Sequence, residues 1–157
     1  MRKRSKYKPR PVLVDPVGFV VESVTPLVDH DSYVLNWKLK NNEAFAALMR
    51  GQATKTDMDT LTAAHNITDA LLVILEGTDI DGTVARSAVA IMDICDRANA
   101  GKGVAMKAAE MQAMRDLMQL HDELMDVVTL GQMEKAIAYA KKEIAAGRAN
   151  RIKEIQV

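Results

Sequence analysis

The chain has 157 residues, of which 48% are hydrophobic and 27% charged, and its formal net charge is zero. This length and composition are typical of one globular domain that buries its core without disulfides. The single cysteine, Cys95, excludes an intramolecular disulfide and a zinc site made of cysteines. No apolar run approaches the roughly 20 residues of a membrane span, and the basic start lacks the apolar stretch of a secretory signal. These features predict a soluble protein of the cytoplasm that does not contact a membrane.

The neutral total conceals a strong separation of charge along the chain. Residues 1–11 carry a net charge of +6, residues 12–128 carry −9, and residues 129–157 carry +3. The first segment contains no acidic residue at all. Such asymmetry indicates contact with nucleic acid, with an acidic protein face or with another anionic surface.

The first segment is predicted to be an arm that does not pack in the core. Its cations are accompanied by one aromatic residue, Tyr7, and by Pro9 and Pro11, which favour extended backbone in the residues before them. We therefore predict a flexible, extended basic arm over residues 1–14 and a helical domain over residues 15–157.

The N-terminal part of the helical domain carries the weaker signals. Asp15 followed by Pro16 is typical of a helix start, and Pro26 should end that short helix. Residues 31–41 fit a strand by their alternation and a helix by the position of their largest apolar residues. The helical spacing that continues beyond them favours a helix over most of residues 32–50.

Four long helices are predicted after residue 55, because apolar residues recur there at a spacing close to 3.6. The first is predicted to begin with Thr56 as its N-cap and to end at Gly77. The second is predicted to begin at Asp79 or Asp81 and to end at Gly101.

The last two helices have clearer boundaries. The third is predicted over about residues 104–127, and Thr129 with Gln132 forms a capping box that starts the fourth, which should end at Gly147. Short loops between long helices favour antiparallel neighbours. The predicted fold is all-α: an antiparallel bundle of about four long helices, with the shorter N-terminal helices packed across one end or side.

The third long helix is rich in methionine, with Met106, Met111, Met114, Met118 and Met125. Three of these share a heptad-like spacing, which favours a role in the core. Met106 and Met114 lie off that line and are compatible with an exposed patch between subunits, and hence with a homodimer.

Catalytic and metal-binding signatures are missing from the sequence. A di-iron bundle site needs Glu-x-x-His, but Thr62 and Met118 stand three residues before His65 and His121. Cys95 lies within an apolar stripe, where a buried inert thiol is expected. Nucleophile-elbow, Walker A and dinucleotide-binding motifs are also absent. We therefore predict a protein that is not an enzyme and that has no catalytic residues, no metal and no cofactor.

The basic arm is the candidate binding site. Its cations suit phosphates, and its aromatic ring suits stacking on a base, with weak sequence preference and strong salt dependence. The residues predicted to bind are Arg2, Lys3, Arg4, Lys6, Tyr7, Lys8 and Arg10. The C-terminal cations that could extend this patch are Lys141, Lys142, Arg148, Arg151 and Lys153.

Two functions follow from this charge distribution. The first is a binding or regulatory protein whose arm engages nucleic acid or a nucleoprotein complex. The alternative is a protein–protein inhibitor or adaptor that docks its acidic helical body, residues 12–128, on a basic surface of a host protein. The arm should be essential for the first function and dispensable for the second.

Five short stretches carry a resemblance to known proteins. They are RSKYKPRPV at 4–12, DHDSY at 29–33, LKN at 39–41, ITDAL at 67–71 and LHD at 120–122. Together they resemble a family of small uncharacterised proteins carried by phages and prophages of proteobacteria. The resemblance implies an accessory protein that binds a host or phage macromolecule in the bacterial cytoplasm. It implies no activity, cofactor or site residue.

Overall fold

A computed structural model describes residues 21, 23–79 and 81–147 of the chain. Within these residues the α-helices are α1 (Asp31–Met49), α2 (Lys55–Ile74), α3 (Thr83–Asn99), α4 (Ala108–Val127) and α5 (Leu130–Ala145). A single 3-10 turn over Leu27–Asp29 precedes α1. The predicted all-α class is confirmed, and none of the helices described is long and apolar enough to cross a membrane.

The ambiguous residues 31–41 are helical, so the helical interpretation is confirmed and the strand alternative is wrong. The strand-like alternation has a simple cause, because α1 carries apolar residues on two of its faces. Val34 and Leu48 are buried against the other helices, whereas Leu35 and Leu39 are exposed. The short helix predicted to begin at Asp15 starts outside the described residues.

The start of α2 lies two residues before the predicted one. Thr54, and not Thr56, is the N-cap: its hydroxyl accepts the N–H of Asp57 at 3.3 Å, while the Asp57 carboxylate accepts the N–H of Thr54 at 2.7 Å. This reciprocal pair satisfies two N–H groups that the helix itself leaves free. At the other end Glu76, not Gly77, takes the left-handed conformation, with φ of 54°.

The starts of the next two helices also differ from the predictions. Gly82 is the N-cap of α3, and Asp79 acts from outside the helix, where its carboxylate accepts the N–H groups of Val84 and Ala85 at 3.1 Å each. The fourth helix begins at Ala108 instead of residue 104. The predicted capping box at the start of α5 is confirmed.

The helices that form the bundle are α1 to α4. Helix α2 contacts each of the other four, and α1, α3 and α4 pack around it in up-and-down order. The sequence predicts a bundle of the four C-terminal helices, α2 to α5. Instead, α5 packs along α2 and leaves the direction of α4 after a two-residue connection, because Val128 and Thr129 are both extended.

The segment before α1 is hydrogen-bonded through its backbone to the junction of α4 and α5. The N–H of Leu27 donates to the carbonyl of Val128 at 2.8 Å, and the N–H of Leu130 donates to the carbonyl of Thr25 at 3.1 Å. Gly131 follows at this junction, where a side chain would meet Ser23. Residues far apart in sequence are thereby fixed by backbone contacts.

Two apolar cores lie at opposite ends of the bundle. The first core consists of Ala44, Phe45, Leu48, Met58, Leu61, Ala90, Ile91, Ile94, Cys95, Ala113, Met114, Leu117 and Met118. The second core consists of Leu27, Val34, Ala70, Leu71, Leu124, Met125, Val128, Met133, Ala136 and Ala140. On α1, α2 and α4, buried polar residues stand between the two cores in sequence order, and Ser87 of α3 joins them through its hydrogen bond with His65. This polar layer comprises Asn41, His65, Thr68, Ser87 and His121.

The methionines of α4 mainly face the interior. Met114, Met118 and Met125 are buried and Met111 is half-buried, as is Met106, which precedes the helix. The core interpretation is therefore confirmed for this helix, and the expectation that Met114 lines an exposed patch is wrong.

Candidate functional site

The predicted binding arm lies outside the described residues, so its seven residues stay a prediction. Three of the C-terminal cations, Arg148, Arg151 and Lys153, also lie outside them. The other two, Lys141 and Lys142, are exposed near the end of α5.

His121 is held as a neutral ring at the centre of the polar layer. The Asn41 amide donates to Nε2 at 3.1 Å, and Nδ1 donates to the Thr68 hydroxyl at 3.0 Å. That hydroxyl in turn donates to the carbonyl of Ala64 at 2.8 Å. Each nitrogen and oxygen in this series of hydrogen bonds therefore has a consistent role as donor or acceptor. Burial, and secondarily the positive charge of Lys38, lowers the pKa of His121 to about 4.

His65 forms the second half of the polar layer with a serine of α3. Its Nδ1 donates to the Ser87 hydroxyl at 3.0 Å, and this hydroxyl donates to the carbonyl of Val84 at 2.9 Å. Burial lowers the pKa of His65, although the carboxylates of Asp69 and Asp79 oppose the shift. A nucleophile–base pair needs the ring to accept the serine proton, but here the ring donates to Ser87 and the hydroxyl donates to a backbone carbonyl. Ser87 is 0% exposed and His65 1%, so no substrate reaches them in this conformation.

A metal site built on the two buried histidines is not supported by their contacts. The described part of the chain contains no group of three histidine, cysteine or acidic residues placed to hold a metal ion. Cys95 is also buried, and burial raises the pKa of its thiol to about 11, with smaller contributions from Asp96 and Asp59. The thiol is therefore protonated at neutral pH and is a poor nucleophile.

One concave surface of the described residues is an acidic cleft of about 520 Å³. It lies where the loop after α2 meets α3 and α4. Its charged lining residues are Asp79, Asp81, Arg86, Asp116 and Glu123. Four carboxylates therefore face one guanidinium, which leaves an excess of three negative charges.

The guanidinium group of Arg86 lies in this acidic cleft and donates hydrogen bonds to several acceptors. It contacts the carbonyl of Asp81, the hydroxyl of Thr83 at 3.2 Å and the carboxylate of Asp116 at 3.3 Å. Asp79 is engaged by the N–H groups at the start of α3. Carboxylates in a cleft of this kind suit ammonium and guanidinium groups, because charge-assisted hydrogen bonds are the strongest that such side chains form.

Sequence reasoning did not find the acidic cleft. The sequence predicts that Asp79 or Asp81 starts a helix, and only Asp79 is hydrogen-bonded to N–H groups at the start of α3. Asp116 and Glu123 are seven residues apart on α4 and hence share one face, a spacing visible in the sequence. Only the tertiary contact of α3 with α4 brings the two pairs together.

Comparison of the chain with models of known protein families, with curated proteins and with solved structures finds no match.

Proposed function

We propose that the protein is a non-enzymatic binding or regulatory protein whose basic arm engages nucleic acid or a nucleoprotein complex. The observation that carries the proposal is the charge separation, +6 over residues 1–11 against −9 over residues 12–128. A polyanion is attracted by the arm and repelled by the body. The same proposal describes a phage-type accessory protein acting in the cytoplasm of a bacterial host, as the sequence resemblance implies.

The side chains of the arm suit contact with phosphates. Arg2, Arg4 and Arg10 offer planar forks that bind two phosphate oxygens at once, and the lysines add point charges. Tyr7 offers a ring on which a base of any kind can stack. Contacts of this type predict a steep dependence on salt and little preference for sequence.

The helical body supports binding over catalysis in two ways. Three side chains with nucleophile or base chemistry are withdrawn from solvent: His121 is 2% exposed, Cys95 4% and Ser87 0%. The acidic cleft repels phosphates, so nucleic acid would approach through the arm.

Fluorescence anisotropy on labelled single-stranded and duplex DNA and RNA tests the proposal. The variant R2A/K3A/R4A/K6A should abolish binding at physiological salt. At low salt, the slope of log K against log salt should fall by about 3 to 4 on duplex, because each lost phosphate contact removes about 0.9.

The control removes the same charge from exposed lysines of the body. In K40A/K55A/K102A/K135A all four replaced side chains are exposed. This variant should bind nearly as tightly as the native chain. Equal losses in both variants, or unchanged binding by the arm variant, would show that the arm is not the contact surface.

The acidic cleft favours one second candidate, an inhibitor or adaptor that docks on a basic protein surface. Its excess of three negative charges would take up lysine or arginine side chains of that surface. Pull-down from a bacterial host lysate, with and without nuclease, separates the two functions. A nuclease-resistant partner kept after deletion of residues 1–11, and lost in D81N/E123Q, would support the adaptor and contradict the arm.

A further inference from the structure

Helix α1 carries a second apolar stripe that faces away from both cores. Leu35 is 69% exposed, Leu39 53% and Met49 44%. Exposed asparagine and half-buried alanine side chains complete this outer stripe, which consists of Leu35, Leu39, Asn42, Ala46 and Met49. Large apolar side chains aligned on one exposed helix face are a typical feature of an interaction surface.

The spacing of the outer stripe indicates what kind of partner covers it. Its residues are separated by four, three, four and three positions, which is the a/d pattern of a heptad repeat over two heptads. Such a seam fits another α-helix laid alongside it, since each side chain inserts between side chains of the facing helix.

Asn42 at the midpoint of the outer stripe favours a second copy of this chain as that partner. Its side chain is exposed, and its amide donates to the carbonyl of Lys38 at 2.8 Å. An amide in the middle of an apolar seam loses its remaining hydrogen bonds unless it faces another polar group. The spacing places Asn42 at a d position, and two copies of α1 in parallel register bring the two Asn42 side chains opposite each other, where each amide can hydrogen-bond to the other.

The charges beside the outer stripe are complementary in the same arrangement. Lys38 and Glu43 flank the stripe on opposite sides and are five residues apart, which is the offset of ion pairs between parallel helices. Twofold symmetry would form this pair twice. Lys38 already contacts Asp126 at 2.6 Å, but its side chain is 23% exposed and its ammonium group has three donors.

We propose that the outer stripe of α1 is the interface of a parallel, in-register homodimer of this chain. None of the five residues of the outer stripe belongs to the basic arm or lines the acidic cleft. A dimer of this form would present two arms, so any arm contact would become bivalent.

Sedimentation equilibrium of the full chain over a range up to about 100 μM protein tests the dimer. The native chain should show a monomer–dimer equilibrium, which L35E/L39E should weaken at least tenfold. The control V73E/V89E adds the same charge at side chains that are 48% and 54% exposed but lie on other helices. It should leave the dimer intact, and circular dichroism should show that both variants are folded.

Two further variants test the register. Glu43→Lys should weaken the dimer, and the swap K38E/E43K should restore it. Leu35→Cys should form a disulfide between copies under a mild oxidant, whereas buried Cys95 provides little background.

Three results would overturn the proposal. The first is a chain that stays monomeric at every concentration. This includes the case in which L35E/L39E lowers the melting temperature of the monomer, which would indicate that another part of the same chain covers the stripe. The second is a dimer that L35E/L39E leaves unchanged. The third is a dimer without the Leu35→Cys crosslink, which would exclude the parallel register.

Discussion

The two cores of the bundle are held together by different means. The first core consists of side chains from four consecutive helices, α1 to α4, that pack against each other, and Leu61 and Leu117 are fully buried in it. The second core joins distant parts of the chain, from Leu27 to Ala140, and depends on backbone contacts at the junction of α4 and α5. The packing of side chains therefore stabilises the end of the bundle with the first core, and close backbone contacts stabilise the end with the second core.

The largest effect should come from a cavity in the first core. Leu117→Ala removes a side chain that is 0% exposed, so the free energy of unfolding should fall by about 3 kcal/mol. Urea denaturation measures the loss. Val127→Ala on the same helix, where the native side chain is 71% exposed, should change stability by less than about 0.5 kcal/mol.

Acid should loosen the polar layer between the two cores. The pKa of His121 is about 4 in the folded chain, below the ordinary value near 6.5, so the unfolded state binds more protons between these values. The contribution of neutral His121 to the free energy of unfolding is fully present above about pH 6.5. It is lost as the pH falls towards 4, by about 3 kcal/mol at most.

His121→Gln is the matched variant for this pH dependence, measured by urea denaturation at several pH values. It should be less stable at pH 7, but its free energy of unfolding should fall less steeply between pH 6.5 and 4. An equal slope in both proteins would mean that other groups, such as His65, cause the acid sensitivity. The pKa of His65 is also lowered by burial.

Gly131→Ala should damage the second core and spare the first. A methyl group there would lie 2.5 Å from the carbonyl oxygen of Ser23, so the backbone of one segment must move. We expect a loss of about 2 kcal/mol, with faster amide exchange in residues 25–30 and in α5. Gly77→Ala is the control, because its nearest contact, at 3.4 Å, is the flexible end of Leu72. Uniformly faster exchange across α1 to α4 would show that the two cores unfold together.

The smallest effect compares the two capping boxes. Thr54→Ala removes the cap of α2 near the first core, and Thr129→Ala removes the cap of α5 near the second. Each should cost about 1 kcal/mol in thermal or urea denaturation. A clearly larger loss for Thr129 would contradict this equality and would show that the cap of α5 is coupled to the second core, since backbone contacts join its junction to the chain before α1.

The helices could be predicted because their signals are local. Thr129 and Gln132 form the predicted capping box, and the apolar spacing identified every long helix that the structure describes. The start of a helix was predicted wrongly where the capping group lies outside the helix. At α3 the carboxylate of Asp79 accepts two N–H groups that follow Gly82, which has a left-handed conformation. Local pattern does not reveal such a bond, since the loop conformation decides it.

The candidate surfaces were less accessible to prediction than the helices. The charge of residues 1–11 is visible in the sequence alone. The acidic cleft is not, because Asp81 and Glu123 meet only when α3 packs on α4. The polar layer was missed for the same reason: the buried ring of His121 on α4 is satisfied by partners from two other helices, Asn41 of α1 and Thr68 of α2.

By itself the sequence determined the number and the approximate positions of the helices, and it separated a basic segment from an acidic body. Hydrophobic periodicity and charge are properties of neighbouring residues, so they need no knowledge of the fold. Only the tertiary structure decided that α5 leaves the bundle to pack on α2, and that α1 has one stripe inside and another outside. Both depend on which faces of different helices meet, and that is set by packing between residues distant in sequence.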